Sequence, residues 1–171
     1  MTEEKWLNRD ELLAWVQFVA VLQLLPPALD AQLDRDADLT HFEYFTLAML
    51  SEAPNRTLRM TLLAGQTNAT LARLSRVVSN LESRGFAERM ACAEDRRATN
   101  VSLTDVGWQK VVATAPEHVN LVRSVVIDAL TAEEIAQLGA ISAKLLGNLD
   151  PEGKMAATML AAASGDHAAQ A

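Results

Sequence analysis

The chain is short of the features that usually announce an enzyme or an exported protein. Its 171 residues include one cysteine, Cys92, which excludes a disulfide within the chain and fits a reducing compartment, so a cytoplasmic location is expected. H-E-x-x-H, C-x-x-C, G-x-S-x-G and a glycine-rich phosphate loop are all missing. The scattered His41, His118, Cys92 and carboxylates show no catalytic spacing, so neither enzymatic activity nor a metal or cofactor is expected. No internal repeat is visible. The opening MTEEKWLNRDELL is acidic and amphipathic, unlike the basic stretch and apolar run of a leader. No window is expected to reach the roughly eighteen uncharged apolar residues of a membrane span. Neither export nor membrane insertion follows from this reading.

Positive charge is scarce as well. Fifteen basic residues face twenty-two acidic ones, a net charge of -7, which by itself argues against a polyanionic partner. The distribution reverses that inference. Between Arg56 and Arg97 eight basic residues (56, 59, 73, 76, 84, 89, 96, 97) stand against four acidic ones (82, 88, 94, 95), a local excess of +4, and the remainder carries seven against eighteen.

What is present is mainly helical patterning. From Asp10 to Leu25 the residues Leu12, Leu13, Trp15, Val16, Phe18, Val19, Leu22 and Leu25 cover more than half of a helix's circumference, and Pro26 and Pro27 are expected to end the element. Asp34 to Asp38 reads as a polar connector. Thr40 with Glu43 forms a capping box that opens a helix from His41 to about Ser51. After a short extended piece, Arg56 to Leu58, a brief helix runs from Met60 to Ala64, ended by Gly65. Asn68 is expected to cap a second helix that Gly85 closes. Phe86 to Met90 and Ala98 to Leu103 read as two strands joined by the loop Ala91 to Arg97. Thr104 caps a long helix reaching towards Leu130, with Pro116 as a kink or break. Thr131 with Glu134 caps a last helix to about Leu149, bearing Ile135, Leu138, Ile141, Leu145 and Leu146.

The order of short helix, turn, second helix and basic hairpin describes a winged helix-turn-helix, which reads duplex DNA. Within the second helix Leu71, Leu74, Val78 and Leu81 recur on one face, and Thr70, Arg73, Arg76, Asn80 and Arg84 are placed on the opposite one. The predicted fold class is mainly α with a small β-hairpin wing. Residues 1–30 form an N-terminal dimerisation helix, 31–104 the winged region (reading helix 68–84, wing 86–103), 105–150 the C-terminal dimerisation helices, and 151–171 an alanine-rich tail expected to be poorly ordered. The all-round apolar first helix and the last helix both need a partner surface, which a second copy supplies symmetrically.

The stretch LARLSRVVSNLESRGFAER, followed by EDRRATNVSLTDVG with Asp95 and Arg97 in D-x-R positions before Leu103, Thr104 and Gly107, resembles the multiple antibiotic resistance regulator (MarR) family of bacterial transcription factors. With the flanking helices the resemblance covers roughly residues 10–148. It implies a homodimer whose first and last helices interlock, with two reading helices in successive major grooves of a pseudo-palindromic operator. Repression is the family's usual mode. A small-molecule effector, an aromatic or phenolic anion such as an aromatic acid or its thioester, would release the DNA.

Candidate DNA contacts are Asn68 and Thr70 at the start of the reading helix, and Arg73 and Arg76 in its first half, where arginine can pair bidentately with guanine. Asn80 and Arg84 lie further along the polar face, and Arg89 and Arg96 are either phosphate contacts or solvated. The resemblance sends Arg97 into the minor groove and makes Asp95 an orienting residue for the wing. Candidates for the effector pocket are Trp15, Phe18, His41, Tyr44, Phe45, His118 and Arg123. Two alternatives remain open: redox control through Cys92, although peroxide-sensing members carry their cysteine in the first helix, and a winged protein-interaction module that does not read DNA sequence.

Overall fold

The computed structural model describes residues 5–91 and 98–155. Six helices and three strands follow one another: α1 (Arg9–Ala37), α2 (His41–Ser51), β1 (Thr57–Arg59), α3 (Met60–Gln66), α4 (Leu71–Ser83), β2 (Ala87–Ala91), β3 (Thr99–Leu103), α5 (Asp105–Val125) and α6 (Ala132–Leu149). The expected mainly helical fold with a small antiparallel sheet is present, with one strand more than the hairpin. β1 lies beside β3, giving the order β1-β3-β2, with Leu58 opposite Val101 and Arg89 opposite Val101 on the other side.

Capping chemistry sets most helix starts. The Asn8 carboxamide accepts from the backbone of Asp10 and Glu11, and the Glu11 carboxylate in turn accepts from Asn8 N at 2.8 Å. Thr40 with Glu43 and Thr131 with Glu134 complete the two capping boxes seen in the sequence. Thr104 caps α5 by accepting from Gly107 N at 3.0 Å, and its hydroxyl donates to Gly85 O at 2.6 Å.

Several sequence expectations need correction. α1 does not end at Pro26; it continues through both prolines to Ala37, so Asp34 to Ala37 is its last turn and not a connector. Each proline deletes one backbone bond and accepts helical φ, and the burial of Gln32, Leu33 and Ala37 holds the second half in place. α5 likewise runs unbroken through Pro116 to Val125, and a short 3-10 turn, Ile127–Ala129, leads to α6. Gly65 lies inside α3. The left-handed residue that closes that helix is Asn68 (φ 48), with Asn68 N bonded to Gly65 O and Ala69 N to Ala64 O, so Asn68 ends α3 and Thr70 caps α4. Gly85 (φ 74) closes α4 by the same pattern.

The core lies under the sheet. Leu33, Leu39, Leu47, Leu50, Leu63, Leu74, Val78, Leu81 and Val101 are fully buried, joining α1's last turns, α2, α3, α4 and β3. Leu71, expected on the packed face of α4, is half exposed.

Outside that core the apolar patterning goes uncovered. Leu12, Leu13, Trp15, Val16, Val21 and Leu24 of α1 are all at least half exposed, and α6 contains no buried residue. The membrane expectation is corrected too. Leu12–Leu29 carries no charged side chain, and α1 is long and apolar enough to cross a membrane by length and composition, with a mean hydropathy of 1.8 in its best window.

Candidate nucleic-acid interface

α4 divides its surface into sectors, and the tertiary structure decides what each one meets. Leu74, Val78 and Leu81 face the core. Ala72, Arg76, Ser79 and Ser83, about 100° per residue around the axis, form the exposed outward sector. Arg76 is the only cation in that sector. It makes no hydrogen bond or ion pair among the described residues, and small side chains surround it, so its guanidinium has room to approach a base edge.

A second sector turns towards the elbow between α1 and α2. Arg73 lays its guanidinium over the Phe42 ring at 4.1 Å. Asn80 donates from Nδ2 to Glu43 Oε1 at 2.8 Å. Arg84 donates from Nη2 to the Asp38 carbonyl at 2.6 Å and to its carboxylate at 3.1 Å, and also covers the Phe86 ring. Three residues that the sequence placed on the reading face are therefore engaged by their own chain.

The wing side is the third sector. Arg89 of β2 reaches back across α4 and donates to the Ser75 carbonyl at 2.7 Å, to the hydroxyls of Ser75 and Ser79, and to Glu82, whose other oxygen accepts Arg89 N at 2.7 Å. Arg89 is thus neither free nor simply solvated, because it fastens the first wing strand to α4. Between α4 and the wing lies a groove of about 460 Å³ lined by Arg59, Thr61, Leu71, Ser75, Arg89 and Thr99. At the start of α4, Thr70 is exposed and accepts from Arg73 N at 3.2 Å, and Asn68 is exposed beside it. Cys92, Asp95, Arg96 and Arg97 fall outside the described residues, as does the tail beyond Met155.

The seven candidate effector residues separate into three places. His41, Tyr44 and His118 come together where α1, α2 and α5 meet. The His118 ring is 4.8 Å from that of Tyr44 and 6.2 Å from that of His41, and its Nδ1 lies 3.1 Å from Gln32 Oε1. Phe45 stacks on His41. Burial pushes both histidines below their ordinary values; Asp30 partly offsets this at His41, and His41 adds to it at His118. Burial also raises the Tyr44 hydroxyl. Trp15 and Phe18 do not join this cluster within one chain. Phe18 sits fourteen residues before Gln32, about 21 Å along the α1 axis, so even the nearer of the two is out of reach. Arg123 points elsewhere as well, paired with Asp128 at 2.6 Å.

Residues 39–99, from the α1–α2 elbow to the second wing strand, match the MarR family model. A MarR family transcriptional regulator from Streptomyces coelicolor, Sco3205, solved in complex with DNA, is 40% identical, covers 88% of this chain and 94% of its own length, and superposes with a TM-score of 0.84. The chain belongs to the MarR family.

A second member from the same organism, AbsC, is 32% identical over 85% of this chain and 97% of its own, with a TM-score of 0.81. An HTH-type transcriptional regulator from Bacillus subtilis, YdcH, is 35% identical over 81 residues, a match that spans 46% of this chain and 55% of that relative. Sco3205 and AbsC are MarR family transcriptional regulators, a family of non-enzymatic DNA-binding proteins, which sets the enzyme reading aside. Sequence reasoning missed the MarR chain's elbow residues Asp38 and Phe42 and the clamp made by Arg89. Glu43 carried a signal, its capping-box spacing, but nothing in the sequence tied it to Asn80, thirty-seven positions away.

Proposed function

We propose that this MarR chain acts as a homodimeric repressor that binds a pseudo-palindromic operator and is released by a small aromatic acid or its thioester. One observation carries the DNA reading: a single unengaged arginine, Arg76, projects from an otherwise small-residue face of α4, within the stretch Arg56–Arg97, where basic residues exceed acidic ones by four. Arg76 reads a base. Arg73, Thr70, Asn68 and, from the wing, Arg96 and Arg97 meet phosphates or the minor groove, with Asp95 orienting the wing. The relative solved on DNA, at 40% identity, supports the same use here.

The uncovered apolar surfaces support the dimer. The first half of α1 and the whole of α6 expose the side chains that would otherwise be core, and an apolar groove of about 340 Å³ lined by Val21, Leu24, Leu25, Ala28, Val125 and Val126 lies between α1 and α5. A two-fold partner covers all three and sets the reading helices about one DNA turn apart. The same covering explains an apolar α1 without a membrane.

For the effector, the His41, Tyr44 and His118 cluster offers aromatic walls and polar anchors beside the helix that joins the dimer region to the reading head. A ligand there shifts operator affinity only through a preference for dimers with wrongly spaced reading helices.

The test is footprinting of the purified protein on the promoter beside its own gene, at several salt concentrations and with a panel of aromatic acids and thioesters. Two protected segments about 10 base pairs apart, with affinity falling steeply as salt rises, are expected. A complex that ignores salt, or no protection, overturns the DNA reading. Protection unchanged by every compound overturns the effector reading alone.

A further inference from the structure

Glu43 is 5% exposed, and both oxygens of its carboxylate are engaged. Its Oε2 accepts from Thr40 N at 2.8 Å and from Thr40 Oγ1 at 3.0 Å, which closes the cap of α2; its Oε1 accepts from Asn80 Nδ2 at 2.8 Å. A carboxylate removed from water needs such partners, and charge-assisted hydrogen bonds are the strong kind. One buried group therefore joins the first turn of α2 to the third turn of the reading helix.

Two further contacts flank this bond along the same stripe of α4, since residues 73, 80 and 84 are separated by two turns and one turn. Arg73 rests on Phe42 and Arg84 is held by Asp38, the left-handed residue at the end of α1 (φ 50). The elbow Asp38–Glu43 thus grips α4 over three turns on the side away from the wing, and Arg89 grips it on the wing side. Free rotation of α4 about its axis is blocked from both flanks. The angle matters: a roll of about 20° would move the tip of a side chain at a radius of roughly 6 Å by about 2 Å, enough to break a bidentate contact.

We infer that Asn80 and Glu43 are a positioning pair, in which Asn80 supports operator recognition by fixing the roll of α4 against the α1–α2 elbow and not by touching DNA. The inference rests on the DNA reading proposed above. It assigns to the stripe Arg73, Asn80 and Arg84 the joint between the dimer helices and the reading helix, and it leaves base reading to the outward sector around Arg76.

Exchanging donor and acceptor tests the pair. Asn80→Asp sets a second carboxylate against Glu43. Adding Glu43→Gln restores complementarity, because the new amide nitrogen donates to the new carboxylate while its oxygen keeps the Thr40 cap. The probes are a duplex enriched by the wild-type protein from a random-sequence library and a scrambled duplex of the same length, titrated by fluorescence anisotropy, with thermal unfolding followed for each variant. Asn80→Asp is expected to weaken binding to the enriched duplex about tenfold and to leave scrambled binding nearly unchanged. The reversed pair is expected to return to within about threefold of wild type.

An unchanged Asn80→Asp, or a reversed pair as weak as Asn80→Asp alone, overturns the inference while the DNA reading stands. Failure of the wild-type protein to enrich any duplex overturns both. If Asn80→Asp does not fold at the assay temperature, a cycle of Asn80→Ala and Glu43→Ala decides. Losses that do not add, including one from the buried Glu43, uphold the pair; a silent Glu43→Ala or additive losses refute it.

Discussion

Gly107, in the first turn of α5, lies so close to Phe86 that a Cβ on it would stand 2.0 Å from the Phe86 carbonyl oxygen and 2.7 Å from a methyl carbon of Leu103. The same carbonyl accepts from Thr104 N at 3.1 Å. The glycine of the L-T-x-x-G ending is therefore a steric requirement: α5 starts against the exit of α4, and only a residue without a side chain fits. Gly107→Ala is expected to destabilise the fold by about 3 kcal/mol through overpacking against backbone that cannot move aside, measured by denaturant unfolding. A stability within about 0.5 kcal/mol of wild type would show that the junction yields.

Leu74 is fully buried between α4 and the rest of the core. Leu74→Ala is expected to cost about 2–5 kcal/mol, from lost transfer energy and the cavity left behind. Leu71→Ala, at a half-exposed site, is expected to cost under about 1 kcal/mol, and equal losses at the two positions would contradict the placement of α4.

Arg76 should separate binding from stability. Arg76→Ala is expected to leave the unfolding midpoint unchanged, because the side chain is exposed and has no hydrogen-bond or ion-pair partner among the described residues. Loss of a bidentate base contact should weaken operator binding by about 1–3 kcal/mol. Arg84→Ala should do the reverse in part, lowering stability through the lost bonds to Asp38. Equal operator affinity for wild type and Arg76→Ala would remove Arg76 from the interface.

The histidine cluster predicts a pH dependence with a definite sign. His41 and His118 both titrate below the ordinary value of about 6.5 in the folded chain, so the unfolded chain binds protons more readily. Their contribution to stability is complete above about pH 6.5 and is lost as pH falls from there through the folded values. The unfolding midpoint should fall as pH drops below about 6.5, and His118→Gln should flatten that slope. A midpoint that rises over this window, or a variant with the same slope as wild type, would contradict the burial seen here.

Ile141 and Leu138 of α6 are 55% and 41% exposed in the single chain. Placing a carboxylate there, as Ile141→Asp, should convert dimer to monomer in sedimentation velocity while the circular dichroism of the winged region persists, because α6 contributes nothing to its core. A variant that sediments like wild type would mean that α6 is covered by something else.

The parts legible in the sequence are those governed by neighbours in the chain. Thr40 with Glu43, Thr104 and Thr131 with Glu134 announce helix starts because a cap is made within four residues. Gly85 announces a helix end because its backbone must enter the left-handed region. Leu74, Val78 and Leu81 announce a buried face by their spacing. Together these fixed the winged helix-turn-helix and the position of its reading helix. The extent of α1 escaped the same reasoning, because Pro26 and Pro27 are local signals for a stop that burial of Leu33 and Ala37 overrides. Asn68 was misjudged for a related reason: as a cap and as a left-handed terminator asparagine has the same local chemistry, and only the chain path chooses.

The chain alone determined which residues are apolar, which are charged and where helices begin, since these depend on covalent identity and on bonds a few residues long. The tertiary structure decided which cations remain available. Periodicity puts Arg73, Arg76, Asn80 and Arg84 on one polar half of α4, and the partners that engage three of them, Phe42, Glu43 and Asp38, arrive from more than thirty residues away through folding. Long-range contact is not encoded in any one segment, so Arg76 stands out as the reading arginine only once the elbow has closed around its neighbours.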